Sequence, residues 1–292
     1  MKKMIFLCLT SLLLLSGKAQ EAGMAITYPA GEFFVSILSE GGRTANAGLL
    51  KNASAEQLAE YLPDGTFELE AQVFLVRAKG KNILIDTGYG RYLFDNLQKL
   101  GVSEEAIDAI LLTHLHPDHT GGLLRNGQAA FPNAKVYLSE KEYEHWSKQS
   151  DGSAGIAALR EYGERVGRFV PEAINSRGSE LLPGIRAIEA YGHTPGHTAF
   201  LIQSEDAQWL IWGDVAHAMP IQMPCPEVGL AFDSDLEQAV RTRKDLLDYA
   251  AKNQMTIGGM HIPFPAVGKL SVGKAASNRG FVFTPLCLCE GF

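Results

Sequence analysis

Thr113-His114-Leu115-His116-Pro117-Asp118-His119-Thr120-Gly121-Gly122 places three histidines and one aspartate within six positions. The stretch directly follows Ala109-Ile110-Leu111-Leu112, a short apolar run of the kind that forms a buried strand. A strand that ends in a glycine-rich loop can turn all four polar side chains toward one point. Neutral imidazoles and a carboxylate that converge in this way are ligands for a borderline divalent cation, zinc above all. His114 and His116 project to the same side of an extended chain, and Asp118 and His119 follow after Pro117 has bent the backbone. That division suits two ions better than one.

The pattern recurs downstream. The chain has eight histidines, at 114, 116, 119, 145, 193, 197, 217 and 261. A strand is expected over Gly184 to Ala190, and it runs into Gly192-His193-Thr194-Pro195-Gly196-His197. Strands at Ala199 to Gln203 and Gln208 to Trp212 follow, the second ending in Gly213-Asp214. A last apolar strand, Met255 to Met260, stops at His261. Asp118, His193, Asp214 and His261 therefore lie at or just past the ends of four apolar strands, which argues for one composite site. Helical segments between the strands indicate sheets covered by helices. His145, among Tyr143, Glu144 and Trp146, reads as a surface histidine.

Around these anchors, Phe33 to Leu38 reads as a first strand and Ala55 to Tyr61 as a short helix. Val73 to Arg77 and Asn82 to Asp86 read as a hairpin across Ala78-Lys79-Gly80-Lys81. Arg91 to Leu100 has helical spacing, with Tyr92, Leu93, Asn96 and Leu100 on one face, and Ser103 is expected to cap the next turn. Lys135 to Leu138 is a strand. Ser139 with Glu142 and Ser234 with Glu237 have the spacing of capping boxes, the second opening a helix from Asp235 to about Lys252. Leu236, Ala239, Val240, Leu247 and Ala250 would form its buried face. Residues 150 to 180 read as a second helical region broken by glycines.

Composition sets the outer bounds. With 292 residues, 46% hydrophobic and 20% charged, the chain can build a sizeable core. A net charge of −7 argues against a nucleic-acid partner, which favours a basic face. Lys2 and Lys3, the apolar run Met4 to Leu15, and the small residues at Gly17 and Ala19 form a cleavable signal peptide over residues 1 to about 20. The run is shorter than the roughly 20 residues a bilayer span takes. Cys8 lies inside it rather than after a small residue at its end, so no stable membrane anchor is expected. The mature protein would be secreted or periplasmic, with its charge moved from −7 to −10 by loss of Lys2, Lys3 and Lys18. Cys225, Cys287 and Cys289 show no disulfide framework and read as structural thiols.

The motifs His-x-His-x-Asp-His, Gly-His-Thr, Gly-Asp and a late His together resemble the metallo-β-lactamase superfamily, over nearly all of the chain after the targeting segment. The resemblance implies a four-layer αββα sandwich, mixed α/β in class, as a single domain over residues 21–292 with the site along one sheet edge. It implies His114, His116 and His193 as ligands of one metal, Asp118, His119 and His261 as ligands of a second, and Asp214 as the bridge. His197 would then either support the ligands or simply pack. Asp86, in the family's Ile-Asp-Thr-Gly turn, would hydrogen-bond and orient the ligands. His116 stands where the oxygen- and nitric-oxide-reducing di-iron members carry Glu, which favours two zinc ions and hydrolysis. In such a site the metals share a hydroxide that attacks a carbonyl or phosphoryl centre.

The candidate catalytic residues are Asp118 and His217. His217 stands three after Asp214, where some lactonases place a Tyr near the substrate carbonyl. It would donate to a developing oxyanion or else form pocket wall. Trp212-Gly213-Asp214-Val215-Ala216-His217, Phe232-Asp233-Ser234-Asp235 and His261-Ile262-Pro263-Phe264-Pro265 look like the group containing methyl parathion hydrolase and quorum-quenching lactonases. The Met219 to Pro226 loop and the tail after Gly268 depart from it. The expected activity is hydrolysis of a small-molecule ester or lactone, N-acyl homoserine lactones among the candidates. Phosphotriester or β-lactam hydrolysis are the alternatives on the same site, and a non-catalytic metal-binding domain is the remote one. A homodimer stays open.

Overall fold

The computed structural model describes residues 24–149, 154–176, 178–273 and 280–286. The expected signal peptide, Cys287 and Cys289 lie outside the described residues.

Seven strands build the first sheet and stand side by side in chain order. They are β1 (Ala25–Ala30), β2 (Phe33–Asn46), β3 (Thr66–Ala78), β4 (Lys81–Ile85), β5 (Ala109–Leu111), β6 (Lys135–Ser139) and β7 (Val166–Phe169). The first four pair antiparallel, and β4 to β7 pair parallel. The hairpin between β3 and β4 turns through Lys79 and Gly80, both at positive φ (48° and 76°), as a two-residue turn matched to strand twist requires. Six strands in chain order build the second sheet: β8 (Ile185–Glu189), β9 (Thr198–Ser204), β10 (Ala207–Ile211), β11 (Thr256–Gly258), β12 (Val267–Val272) and β13 (Phe281–Pro285).

Side-chain alternation along the strands makes the layers. Phe74, Val76, Ile83, Ile85 and Leu111 face inward, and join Phe200, Leu210, Ile211 and Ile257 of the second sheet in one core. Their sequence neighbours Val73, Leu75, Leu84, Ile110 and Leu112 face the other way. They pack with Leu93 and Leu97 of α2 (Leu93–Lys99) and Ile156 and Leu159 of α5 (Ala154–Tyr162). On the second sheet, α7 (Leu236–Lys252) packs Leu246, Leu247 and Ala250 into the same continuous apolar cluster. Helices thus cover two face-to-face sheets, the αββα arrangement.

Several local expectations are corrected. The first strand is β1 rather than Phe33–Leu38, and β2 runs on to Asn46 through an irregularity between Ser39 and Gly42. The 150–180 region is half helix: α5 gives way to β7, which pairs with β6. Ser103 makes no side-chain cap bond. The long helix is capped by Asp235, whose side chain accepts from the Gln238 N–H, and not by Ser234. Ser139 stands at the N-cap of α4 (Glu140–Ser147) but makes no side-chain cap bond, and Glu142 is turned inward and fully buried. The departing loop contains a buried helical turn, Met219–Gln222, and β12 and β13 extend the second sheet past Gly268.

Candidate metal centre

The inner faces of both sheets end along one edge, and the polar residues gather there. β4 ends in Asp86, held at φ +60°, a left-handed conformation that Asp tolerates better than most residues. Leu112 and Thr113 lead from β5 into His114 and His116, and Pro117 opens the single turn Pro117–Thr120 that carries Asp118 and His119. From the second sheet come His193, between β8 and β9, Asp214 after β10, and His261 after β11. The Thr198 N–H donates to the Thr113 carbonyl at 2.9 Å, tying the two strand-end loops together.

Two triads result. The ligand-type atoms of His114, His116, His193 and Asp214 all lie within 4.8 Å of one another, and so do those of Asp118, His119 and His261. Asp214 lies between them. Its Oδ2 is 3.2 Å from His193 Nε2, 3.6 Å from His114 Nε2 and 3.1 Å from His261 Nε2, and its Oδ1 is 3.1 Å from His119 Nε2. The structure therefore brings together all seven residues expected from the sequence, and His217 joins them in a further cluster with Asp214 and His261. His145 stands apart on α4, beside Trp146 and Gln149.

The far sides of four of the rings are anchored. His119 Nδ1–H donates to Asp86 Oδ2 at 2.6 Å, His193 Nδ1–H to Asp233 Oδ1 at 3.0 Å, and His261 Nδ1–H to the Glu70 carbonyl. Thr113 Oγ1 donates to Asp86 Oδ2 and lies 3.0 Å from His114 Nδ1. These bonds turn the Nε2 atoms of His114, His119, His193 and His261 inward, the second layer a metal site needs. Among the described residues, His114 Nε2, His119 Nε2 and Asp214 Oδ1 are buried with no hydrogen bond. Buried polar atoms left bare are costly and rare. Three of them converging from two sheets, in a His and Asp donor set, fit divalent cations.

Electrostatics follow from the crowding. Burial raises the Asp214 pKa, but His119, His261, His114 and His217 outweigh it and hold the group well below the usual carboxylate range. Burial also opposes charge on His193, and there Asp214 and Asp233 prevail, lifting it to about 9. His116 drops to about 4 through burial and the neighbouring His193.

His197 is not in either triad. Burial lowers it to about 3. Its Nδ1–H donates to the Ala190 carbonyl at 2.8 Å, and its Nε2 accepts the Asp214 backbone N–H at 2.9 Å. It braces the shared aspartate. A Cβ on Gly213, which has φ +63°, would meet His197 Nε2 at 2.5 Å, so this approach requires glycine. His217 faces Asp214 Oδ2 at 3.1 Å through Nε2 and stacks on the His261 ring at 4.5 Å. Its inward nitrogen thus meets a carboxylate instead of an open cavity.

Two supporting carboxylates escaped the sequence reading. Asp233, inside Phe232-Asp233-Ser234-Asp235, has a fully buried side chain that holds His193 and accepts the Leu230 N–H. Arg243, also buried, lies 3.9 Å from it and donates to the carbonyls of Val215, Pro226 and Val228. The second is Glu142, disguised as a helix cap. The signal available for it was Trp146, one turn later, which with Tyr143 gives a largely charged helix an aromatic face.

The family model of the metallo-beta-lactamase superfamily matches residues 67–261. The chain belongs to the metallo-β-lactamase superfamily. It is 28% identical over 174 residues to the N-acyl homoserine lactonase AttM of Agrobacterium fabrum, covering 58% of this chain and 63% of that one. The chain spans roughly half the length of the curated relatives it matches, from 38% to 63% in the first three. Among solved structures it resembles AidC, a dizinc quorum-quenching lactonase in complex with a product. That likeness has a TM-score of 0.80 and 26% identity over 91% of this chain and 98% of AidC. It also resembles the hydrolase AbOPH of the β-lactamase superfamily, with a TM-score of 0.81 and 28% identity over 92% and 99%.

Proposed function

We propose that this superfamily member is an exported, dinuclear metal-dependent hydrolase that opens carboxylic esters, lactones foremost. The observation that carries the reading is the pair of triads around Asp214 with bare, buried donor atoms aimed between them. The likeness to lactonases over nearly the whole of AidC supports the substrate class.

In this reading His114, His116 and His193 hold one ion, Asp118, His119 and His261 the other, and Asp214 serves both. Two divalent ions, zinc by the chemistry of the donors, supply a nucleophile at neutral pH and an electrophile for the ester carbonyl. The protein's own groups do the rest. Asp86, Asp233 and the Glu70 carbonyl hold the Nδ1–H of His119, His193 and His261, so that Nε2 is the atom each ring would offer to an ion. Asp118, with 21% of its side chain exposed, is the site carboxylate open to solvent and is placed to accept and pass on a proton. His217 braces Asp214 and His261. Beside His261 lies a cavity of about 110 Å³ walled by Arg43, Leu69, Ala71, Tyr89 and Arg91. There part of a substrate can sit, with Arg43 and Arg91 as donors and Leu69-Glu70-Ala71 of β3 beside it.

The test is metal analysis of the purified protein beside a panel of lactone, phosphotriester and β-lactam substrates. Close to two equivalents of metal, loss of turnover on chelation, and highest turnover on lactones are expected. Full activity without bound metal would refute the reading, and a clear preference for phosphotriesters or β-lactams would overturn the substrate class.

A further inference from the structure

Glu142 is a fully buried carboxylate to which the proposed chemistry gives no task. It sits in the first turn of α4, and its oxygens accept four hydrogen bonds. Oε1 takes the Leu115 N–H at 3.1 Å and the Trp146 Nε1–H at 2.6 Å. Oε2 takes the Thr194 hydroxyl at 2.7 Å and the Gly196 N–H at 2.9 Å. Four donors fill the lone-pair sites of a carboxylate, and an amide in its place seats only two of them.

The origin of the donors gives the group a purpose. Leu115 lies between His114 and His116, on the loop from the first sheet. Thr194 and Gly196 follow His193, on the loop from the second. One side chain thus joins the two loops that supply the three histidines of a single triad. Trp146 adds to this, because its ring lies edge-on to His116 at 5.7 Å while its N–H is fixed by Glu142. At the centre of that triad His116 Nδ1 and His193 Nε2 are 3.1 Å apart. Gly196 comes so near to α4 that a Cβ there would stand 2.1 Å from the Glu142 nitrogen. Asp118, His119 and His261 have no such link to Glu142, since Asp86 and the Glu70 carbonyl hold two of them.

We propose that Glu142 is a positioning residue that sets the separation of the His114/His116 loop and the His193 loop, and so sets the affinity of one cation site without setting the other. The inference rests on the dinuclear reading above. A carboxylate that orients ligands from outside is worth about 10–100-fold in metal affinity.

The test is competition between a chelator and Zn²⁺ for the full-length protein, resolved into two dissociation constants. Glu142→Gln is expected to loosen one ion about 10–100-fold and leave the other within about twofold. Thr194→Val, which removes one of the four donors, should loosen the same ion less, and Thr194→Ser should restore it. In a His193→Ala background, where that site is already broken, Glu142→Gln should have no further effect on the remaining ion. Should Glu142→Gln fail to fold, as judged by circular dichroism of the metal-free protein, Thr194→Val and Trp146→Phe carry the same test. Equal loosening of both ions, wild-type affinity in the variants, or an added loss in the His193→Ala background overturns the proposal. A wild-type protein that takes up no Zn²⁺ overturns the dinuclear reading itself, and that outcome is seen before any variant is made.

Discussion

Asp86→Asn isolates what a carboxylate behind a ligand contributes. The substitution keeps the shape of the side chain, and Asn is as much at home as Asp at the φ of +60° that this position requires. Asp86 Oδ1 accepts the Thr113 N–H at 2.7 Å, a bond the Asn carbonyl oxygen preserves. Oδ2, which accepts from His119 Nδ1 at 2.6 Å and Thr113 Oγ1 at 2.7 Å, becomes an NH₂ group. His119 must then present Nδ1 as an acceptor, which moves its proton to Nε2, the atom turned to Asp214. A protonated Nε2 cannot bind a cation, so ligation there requires paying back the unfavourable tautomer. The expected loss is about 10–100-fold in affinity for one ion, or about 1.4–2.7 kcal/mol. Because the Asp86–His119 pair is buried, removing one partner also costs stability, so the metal-free protein should melt below the wild type. Zn²⁺ competition and thermal melts of metal-free protein read the two effects apart. Unchanged affinity for both ions, with the fold intact, would show that Asp86 does not set the His119 tautomer.

Proton linkage gives a second expectation. His193 in the metal-free protein is lifted to about 9, so at pH 7 it carries a proton that ligation must expel. Calorimetry in buffers of different ionisation enthalpy should show proton release on Zn²⁺ binding at pH 7, with apparent affinity rising from pH 7 toward 9, and pH-independent affinity over that range would count against His193 as a ligand. Gly213→Ala must place a Cβ 2.5 Å from His197 Nε2 at a φ of +63°. We expect a loss of about 1–3 kcal/mol, a fall in Tm of roughly 2–10 °C, and a wild-type melting curve would contradict the bracing role of His197. Native protein should begin near Gln20 or Glu21 by N-terminal sequencing, and retained Met1 would refute export through this signal.

Strand-end chemistry was legible in the sequence because it is local. An apolar run that leads into a ligand-type residue describes Asp86, His114, His193, Asp214 and His261 alike, and each stands at or just past the end of a strand. What could not be read depends on partners far along the chain. Ser139 and Glu142 have the spacing of a capping box, yet three of the four donors to Glu142 come from Leu115, Thr194 and Gly196, up to 54 residues away. Those tertiary bonds win, and the Ser139 hydroxyl is left buried with no hydrogen bond among the described residues. Asp233 carries no local signal of its role, since only the fold brings it to His193, 40 residues earlier. The glycines of 150–180 suggested broken helix, whereas Val166–Phe169 is a strand because β6 offers it an open edge.

The placement of the ligands has a mechanical consequence. Each triad takes residues from both sheets: His114 and His116 against His193, Asp118 and His119 against His261. Neither sheet can complete a site alone, so cation binding and the packing of one sheet on the other are one equilibrium. Apolar contacts between the sheets fix their spacing but not its fine adjustment, because a core tolerates small slides that a ligand sphere does not. The fine adjustment falls to directional bonds across the edge. Thr198 to Thr113 ties backbone to backbone, Glu142 ties the two histidine loops, and His261 is tied to the Glu70 carbonyl of β3. Buried polar groups that look expensive in isolation are thus spent where the fold needs accuracy, and hydrophobic area cannot replace them there.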